Sequence, residues 1–116
     1  MASSKEVDGS EDCCPALDPE VTDEKLAADV DVLAALGNDT RYEAMRYVAA
    51  ADGGLCVCEL EPALGVSQSA VSQALSRLYT AGLVTRRKEG RWRYYEPTAR
   101  AETLLDALDG VGGTDD

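Results

Sequence analysis

The apolar residues between Thr22 and Gly37 recur three or four positions apart, which is the spacing of one face of an α-helix. They are Leu26, Val30, Leu33 and Leu36. Thr22 is a suitable N-cap, and the acidic residues after it suit the positive end of the helix dipole. A helix over 23–36 is therefore predicted, and Gly37 ends it. A second helix is predicted from Asn38 or Asp39, with one face formed by Tyr42, Met45, Val48 and Ala49.

Two further helical segments are separated by a short turn near Gly65. The apolar segment 55–64 forms the first, and Ser67 is a good N-cap for a longer helix over 68–81, which Gly82 closes. The inward face of the longer helix is predicted to consist of Val71, Leu75 and Leu78. Two helices joined by a tight turn are typical of a helix-turn-helix.

After Gly82 the apolar residues change to the alternating period of a β-strand. Segments 83–88 and 91–96 flank Glu89-Gly90, which is predicted to be the turn of a β-hairpin. Trp92 and Tyr94 share one face and are expected to pack against the core. The other face holds Arg91, Arg93 and Tyr95. A last helix is predicted over 98–109, with Leu104, Leu105 and Leu108 as its apolar residues.

The predicted fold class is mainly α with a β-hairpin, a winged helix-turn-helix that has an additional helix at each end. Residues 22–109 are expected to form one domain for DNA binding and dimerisation. Residues 1–21 are expected to be a disordered acidic N-terminal arm, and 110–116 a flexible acidic tail. A core this small is not expected to bury the apolar stripes of 23–36 and 98–109. A two-fold homodimer through the first and last helices is therefore predicted.

The composition excludes several classes of function. The 116 residues contain no histidine, so imidazole acid–base catalysis and histidine-ligated metal sites are excluded. No Cys-x-x-Cys, nucleotide-binding loop or pair of catalytic carboxylates supports an enzyme or a redox carrier, and no obligatory cofactor is expected. No apolar run reaches the length of a membrane span, and the polar N-terminus does not resemble a signal peptide. We therefore expect a cytoplasmic protein without a membrane partner.

The net charge of −11 is unevenly distributed. Residues 66–100 carry seven basic and two acidic side chains, whereas 1–65 carry four basic and fifteen acidic ones. A local basic block matters more for binding than the total charge. The acidic, lysine-poor remainder suggests a salt-rich cytoplasm, although a merely solvated acidic surface is the alternative.

The basic block predicts that double-stranded DNA is the partner. The outward face of helix 68–81 has hydrogen-bonding groups and no acid, and such groups pair with base edges and phosphates. These are Gln68, Ser69, Ser72, Gln73, Ser76 and Arg77. The hairpin adds Arg86, Arg87, Lys88, Arg91 and Arg93, which suit the DNA backbone or the minor groove. The alternatives are a solvated helix face and a hairpin whose cations pair with acids of the same chain.

Four cysteines form two close pairs, Cys13–Cys14 and Cys56–Cys58. In a reduced compartment such clusters suggest soft-metal binding or redox chemistry. Residues two apart in a helix point in nearly opposite directions. Cys56 and Cys58 can therefore hold one ion only if their turn bends, unwinds or is already loose, which would couple ion binding to the helix-turn-helix. A pair of partly buried structural cysteines is the alternative.

Three segments resemble the ArsR family of winged-helix repressors. Leu-Cys-Val-Cys-Glu-Leu (55–60) is similar to that family's metal box, Leu-Cys-Val-Cys-Asp-Leu, and 67–72 (Ser-Gln-Ser-Ala-Val-Ser) is similar to its recognition helix. Similarity to the wing of that family is found in Gly82-Leu83-Val84, Arg87-Lys88-Glu89-Gly90-Arg91-Trp92 and Tyr95. The resemblance implies a homodimeric repressor that binds its operator when ion-free. Arsenite or antimonite would release it, and genes for efflux or detoxification would then be expressed.

The sequence departs from this family at three places. Many members have a third cysteine three residues after the second, where this chain has Glu61. Ala74 stands where a histidine is frequent, and the family's zinc site of Asp and His cannot form. Related cadmium and lead sensors recruit N-terminal cysteines, which makes Cys13 and Cys14 candidate ligands. Three thiolates favour arsenic(III) or antimony(III), and four favour cadmium, lead or zinc. A repressor gated by thiol oxidation and a winged-helix module that binds proteins remain the other hypotheses.

Overall fold

The computed structural model describes residues 16–113, and their side chains as far as Gly110. The elements follow one another in the order expected of a winged helix-turn-helix, with one short strand added. They are α1 (Asp23–Leu36), α2 (Asp39–Ala50), β1 (Leu55–Cys56), α3 (Val57–Leu64), α4 (Gln68–Thr80), β2 (Val84–Glu89), β3 (Trp92–Pro97) and α5 (Ala99–Gly113). Helix α5 continues four residues past its predicted end at 109. No helix in the described part is long and apolar enough to cross a membrane.

Short polar side chains fix the beginnings of the helices, as the sequence predicts. Thr22, Asn38 and Ser67 each accept a hydrogen bond from the backbone N–H three residues ahead, at 3.0, 3.0 and 3.1 Å. Helix α4 ends where Gly82 adopts a φ of 78° and the Leu83 N–H donates to the Leu78 carbonyl at 3.0 Å. This left-handed cap turns the chain directly into β2.

The core lies where α2, α3 and α4 meet the root of the hairpin. Its inward residues on α4 are the predicted ones, and over the described residues no polar or charged side chain is buried with them. The largest fully buried side chains are Met45, Leu60, Leu75, Leu78, Leu83, Val48, Val71 and Val84. The orientation of α4 is therefore set by apolar packing on three sides.

The sheet has three strands in the order β1-β3-β2, all antiparallel. Strand β1 was not predicted, because two residues carry no alternation; Leu55 pairs with Tyr95, and Cys56 with Tyr94. The chain reaches this register through Gly54, whose φ is 98° and where a Cβ would lie 3.1 Å from the Glu96 side chain. Only glycine combines this dihedral with so close an approach.

The prediction for the hairpin turn is wrong by one residue. Strands β2 and β3 pair Glu89 with Trp92, so the two turn residues are Gly90 and Arg91 rather than Glu89 and Gly90. Gly90 has a φ of 64°. A two-residue turn of this kind places glycine at its first central position, and this preference sets the register.

The expectation that Trp92 and Tyr94 pack against the core is also wrong. Tyr95 is the buried aromatic residue, with 4% exposure, whereas Trp92 near the turn is 50% exposed and Tyr94 is half-buried. The reason is that β1 and the root of the hairpin bring the opposite face of β3 onto the core. The β-strand alternation was right, but the inward face was assigned incorrectly.

Helices α1 and α2 meet at a corner that Arg41 closes. Its guanidinium donates to the carbonyl oxygens of Ala35 at 2.7 Å and Ala34 at 3.1 Å. These carbonyls belong to the last turn of α1, where no further helical residue follows to donate to them, and the Ala34 oxygen also accepts the N–H of the C-cap Gly37 at 3.1 Å. The corner leaves one face of α1 pointing outward, and the large apolar side chains exposed on α1 and α5 are Leu26, Val30, Leu33 and Leu108.

Candidate DNA interface and thiol site

The outward residues of α4 line a cleft between this helix and the hairpin. The cleft has a volume of about 480 Å³. Helix α4 contributes Gln68, Ser72 and Ser76, which lie on one face at helical spacing. The hairpin contributes Arg86, Lys88, Arg91, Trp92, Arg93 and Tyr95, and the start of α3 contributes Cys56, Val57 and Cys58. Helix and wing thus present one concave surface with positive charge, as contact with a duplex requires.

Seven of the eleven predicted DNA-binding residues lie in this cleft, and four do not. Ser69 and Gln73 are exposed on α4 outside the cleft. Arg77 is directed toward α1 and forms an ion pair with Asp31 at 3.0 Å. Arg87 lies on the opposite face of the hairpin. The structure therefore places only part of the predicted set of DNA-binding residues on one surface.

Arg87 is occupied by acids of its own chain. Its guanidinium lies 3.3 Å from Glu89 and 2.9 Å from Glu96, donates to the Gly53 carbonyl at 3.2 Å, and stacks on Tyr94. The hydrogen bond with Glu89, reinforced by the charge of Glu96, raises the pKa of Arg87 above its usual value. At this residue the structure shows the pairing within the chain that the sequence analysis gave as the alternative. Its signal was available in the sequence, because Arg87 and Glu89 are two apart on one strand.

The cations of the cleft are not neutralised in this way. Within the described residues, Arg86, Lys88, Arg91 and Arg93 have no acidic partner within 4.0 Å. Arg86 instead stacks on the Tyr79 ring, with its guanidinium carbon 4.0 Å from the ring centroid. Tyr79, which lies in α4 four residues after the buried Leu75, was not identified from the sequence. The stacking holds Arg86 over α4 without removing its charge.

The two central cysteines meet at the junction of β1 and α3. Cys56 is the N-cap of α3 with extended dihedrals, and its Sγ accepts the N–H of Cys58 at 3.3 Å. Glu59 in turn accepts the N–H of Cys56 at 3.0 Å, as in a capping box. The structure joins Cys56 and Cys58 in a disulfide. Cys56 is 5% exposed and Cys58 is exposed, so the pair is accessible from one side.

The two cysteines do not both lie in regular helix, which is the condition under which they could hold one ion. Because Cys56 precedes the helix, the two sulfurs need not point in opposite directions, and no helical turn has to unwind to bring them together. Pro62 lies inside α3 and has no N–H to donate to the Cys58 carbonyl. The first turn of α3 therefore lacks one helical hydrogen bond, and the capping contacts of Cys56 and Glu59 add to those that remain.

Once the disulfide is reduced, two adjacent thiolates are donors of the kind that a thiophilic ion prefers, and the described residues add no third ligand. In residues 16–113, no group of three or more Cys, Asp or Glu side chains is arranged to hold a metal ion. Glu61, at the position where many members of the resembled family have a cysteine, is not part of such a group. Cys13 and Cys14, the other candidate ligands, lie outside the described residues.

Comparison with known proteins identifies the family. Residues 38–86, from the N-cap of α2 into β2, match the family described as bacterial regulatory protein, arsR family. A protein of Halobacterium salinarum, whose name gives it as a candidate arsenical resistance operon repressor, ArsR2, is 63% identical over 107 residues, which are 92% of this chain and 89% of that one. The chain belongs to the arsR family.

Solved structures of other proteins have the same fold. NolR from Sinorhizobium fredii is 28% identical, with a TM-score of 0.74 over 88% of this chain and all of that one. A homodimeric winged helix-turn-helix DNA-binding domain from Mycobacterium bovis, described as a possible ArsR-family regulator, is 26% identical, with a TM-score of 0.70 over 82% of this chain and 90% of that one. This arsR-family protein is thus a winged helix-turn-helix transcriptional regulator, as its sequence predicted.

Proposed function

We propose that this arsR-family protein is a homodimeric repressor that binds operator DNA when ion-free and is released when arsenite or antimonite binds the thiolates of Cys56 and Cys58. One observation carries the proposal: the two sulfurs are adjacent and line the same cleft as Gln68, Ser72 and the wing cations. Soft sulfur donors select thiophilic ions. The name of the Halobacterium relative agrees with an arsenical effector.

The position of Cys56 supports a coupling between ion and DNA. Its backbone pairs with Tyr94 of β3, so it is bonded into the wing, and its side chain caps α3. Helix α3 packs on α4, whose outward residues face the cleft. A ligand on both sulfurs would pull on the wing and on the helix-turn-helix together. This is the difference in contacts between two states that an effector requires.

The experiment uses a duplex that the reduced, ion-free protein selects from a random pool. Release is followed by fluorescence anisotropy during titration with arsenite, antimonite, cadmium, lead or zinc. Arsenite or antimonite is expected to release the wild type. Cys56→Ser should bind DNA as before, since serine also caps a helix, and so should Cys58→Ser, because the side chain of Cys58 is exposed. Neither variant should respond to the ion. Release of either variant by arsenite, or an arsenite-loaded wild type that keeps its DNA, would overturn the proposal.

A second candidate function is a redox switch at the same cysteines, and the disulfide between Cys56 and Cys58 favours it. Two thiols and one peroxide molecule would give the disulfide and two water molecules. Peroxide added to the reduced protein, followed by thiol titration and anisotropy, separates the candidates. Release by peroxide in the absence of an ion supports the switch. Release by arsenite together with no release by peroxide excludes it. Cadmium, lead or zinc would be the effector if four thiolates, including Cys13 and Cys14, take part.

The homodimer is proposed to form through α1 and α5. Leu33 and Val30 on α1 are 62% and 59% exposed, and Leu108 on α5 is 51% exposed. So large an apolar surface on two helices suits a partner of the same chain related by a two-fold axis. Val30→Glu is expected to give monomers in analytical ultracentrifugation, whereas Asp29→Glu, which puts the same side chain one position away, should remain dimeric. Dimers of Val30→Glu would contradict this interface.

A further inference from the structure

Arg77 is the only charged side chain of α4, and it contacts α1 instead of lining the cleft. Its Nη2 donates to Oδ1 of Asp31 at 3.0 Å and lies 3.4 Å from the backbone carbonyl oxygen of the same residue. Asp31 lies 46 positions earlier in the chain. A side chain that the sequence predicts to contact DNA is thus joined to the first helix of the domain.

Asp31 lies in α1 between one buried and one exposed apolar residue. Val32, which follows it, is 6% exposed, and Val30, which precedes it and belongs to the proposed dimer surface, is 59% exposed. Helix α1 packs on both α2 and α4. The pair of Arg77 with Asp31 therefore connects the helix of the proposed dimer surface with the helix whose outward residues face the cleft.

A second arginine holds the same helix at its end. Arg41 of α2 donates to the carbonyl oxygens of Ala34 and Ala35, and Asp31 lies four residues, about 6 Å along the helix axis, before Ala35. A helix held at one point can swing about that point, whereas two separate points fix its direction. Arg41 therefore fixes α1 against α2, and Arg77 fixes it against α4.

We propose that Arg77 is a positioning residue, which through its pair with Asp31 sets the direction of α4 relative to α1 and so the angle between the two α4 helices of a dimer. The inference rests on the proposed homodimer through α1 and α5, and it names the contact by which the dimer surface orients α4. Arg77 then contributes to DNA binding through Asp31 and not by contact with the duplex.

The pair between Arg77 and Asp31 acts on geometry more than on stability. Its side chains are 32% and 49% exposed, and an exposed ion pair contributes little to the free energy of unfolding. The planar guanidinium, however, donates in fixed directions, so the pair forms at one relative placement of the two helices. Each subunit of a two-fold dimer contributes the same angular error, so an error at α1 is doubled between the two α4 helices.

An insertion at the centre of the DNA site measures this geometry. Affinity is determined by anisotropy for the selected duplex and for the same duplex with one base pair inserted at its centre, which turns its two halves by about 35° relative to each other. The wild type is expected to prefer the original duplex. Arg77→Gln should reduce that preference by about fivefold, because each dimer loses two exposed pairs. Asp31→Asn should reduce it equally, although this change removes an acid.

Combined variants test whether the two residues act as one contact. Asp31→Asn/Arg77→Gln should be no worse than either single variant, because both changes remove the same interaction. Asp31→Arg/Arg77→Asp exchanges the two charges and should restore the preference.

Lys25→Gln is the matched control, since it breaks an exposed ion pair within α1, that of Lys25 with Asp29 at 2.9 Å, and should keep the wild-type preference. Urea unfolding of all variants at one protein concentration checks that they remain folded.

A direct contact of Arg77 with DNA would give a different result. Arg77→Gln would then bind both duplexes more weakly by the same factor, with the dependence of log K on log salt lowered by about one, and Asp31→Asn would bind DNA more tightly. That result overturns the positioning role, and so does an unchanged preference in both single variants or a charge-exchanged variant that does not regain it.

The state of the wild type separates this inference from the homodimer on which it rests. A wild type that sediments as a monomer overturns the proposed homodimer. A dimeric wild type that binds both duplexes equally overturns only the positioning role of Arg77.

Discussion

The two faces of the hairpin have similar residues and opposite electrostatic states. The cleft face, formed by Arg86, Lys88, Arg93 and Tyr95, has free cations at its outer part and a buried tyrosine at its root. The outer face, formed by Arg87, Glu89, Tyr94 and Glu96, has one arginine bonded to two carboxylates and stacked on a half-buried tyrosine. Neighbouring residues Arg86 and Arg87 thus have different partners.

The comparison shows that a count of cations does not measure a DNA-binding surface. Because side chains alternate along a strand, a run of consecutive basic residues is divided between two faces. The two acids of β2 and β3 both fall on the outer face with Arg87. The cleft therefore keeps the positive charge, whereas the outer face has more acidic than basic side chains.

The largest expected difference between the faces is in stability. Tyr95→Ala should lower the free energy of unfolding by about 3–4 kcal/mol, because it empties a fully packed site. Tyr94→Ala should cost about 1 kcal/mol, as expected for a partly exposed side chain. Urea unfolding at one fixed protein concentration measures both. Equal costs would show that the hairpin does not present a single inner face.

A structural feature could be predicted from the sequence when it depends on residues close together in the chain. Thr22, Asn38 and Ser67 were predictable as caps, because a cap depends on residues within one turn. Strand β1 was not, since Cys56 pairs only with Tyr94, far along the chain.

The choice of Tyr95 over Trp92 as the core aromatic depended on the same distant pairing. For the thiol site, residue types predicted the chemistry, and spacing alone left its geometry open. The N-cap position of Cys56 settled that geometry.

The next largest difference is expected in DNA affinity. Arg93→Gln should weaken binding to the selected duplex by about tenfold and lower the dependence of log K on log salt by about one, because a free cation releases counterions on contact with phosphate. Arg87→Gln, the matched change on the outer face, should have an effect of less than about threefold. Anisotropy titrations at several salt concentrations test both. Equal effects would mean that Arg87 exchanges its carboxylates for DNA.

The smallest expected effect comes from removing one of those carboxylates. Glu96→Gln leaves Arg87 with Glu89 alone and should strengthen DNA binding by about twofold at low salt, with the gain disappearing as salt rises. Glu102→Gln on α5 removes the same charge away from the wing and should change little. A Glu96→Gln variant that binds DNA more weakly would indicate that Glu96 positions the wing.

The corner closed by Arg41 has a consequence for the operator. The Arg41 guanidinium joins the end of α1 to α2. Helix α1, which is proposed to pack against the partner subunit, therefore cannot rotate freely relative to α2 and the α4 helix packed on it. The two α4 helices of such a dimer are expected to be held at one fixed distance. A DNA duplex has equivalent major-groove sites about one helical turn apart. Sequences recovered from the random pool should therefore be inverted repeats with a single spacer length.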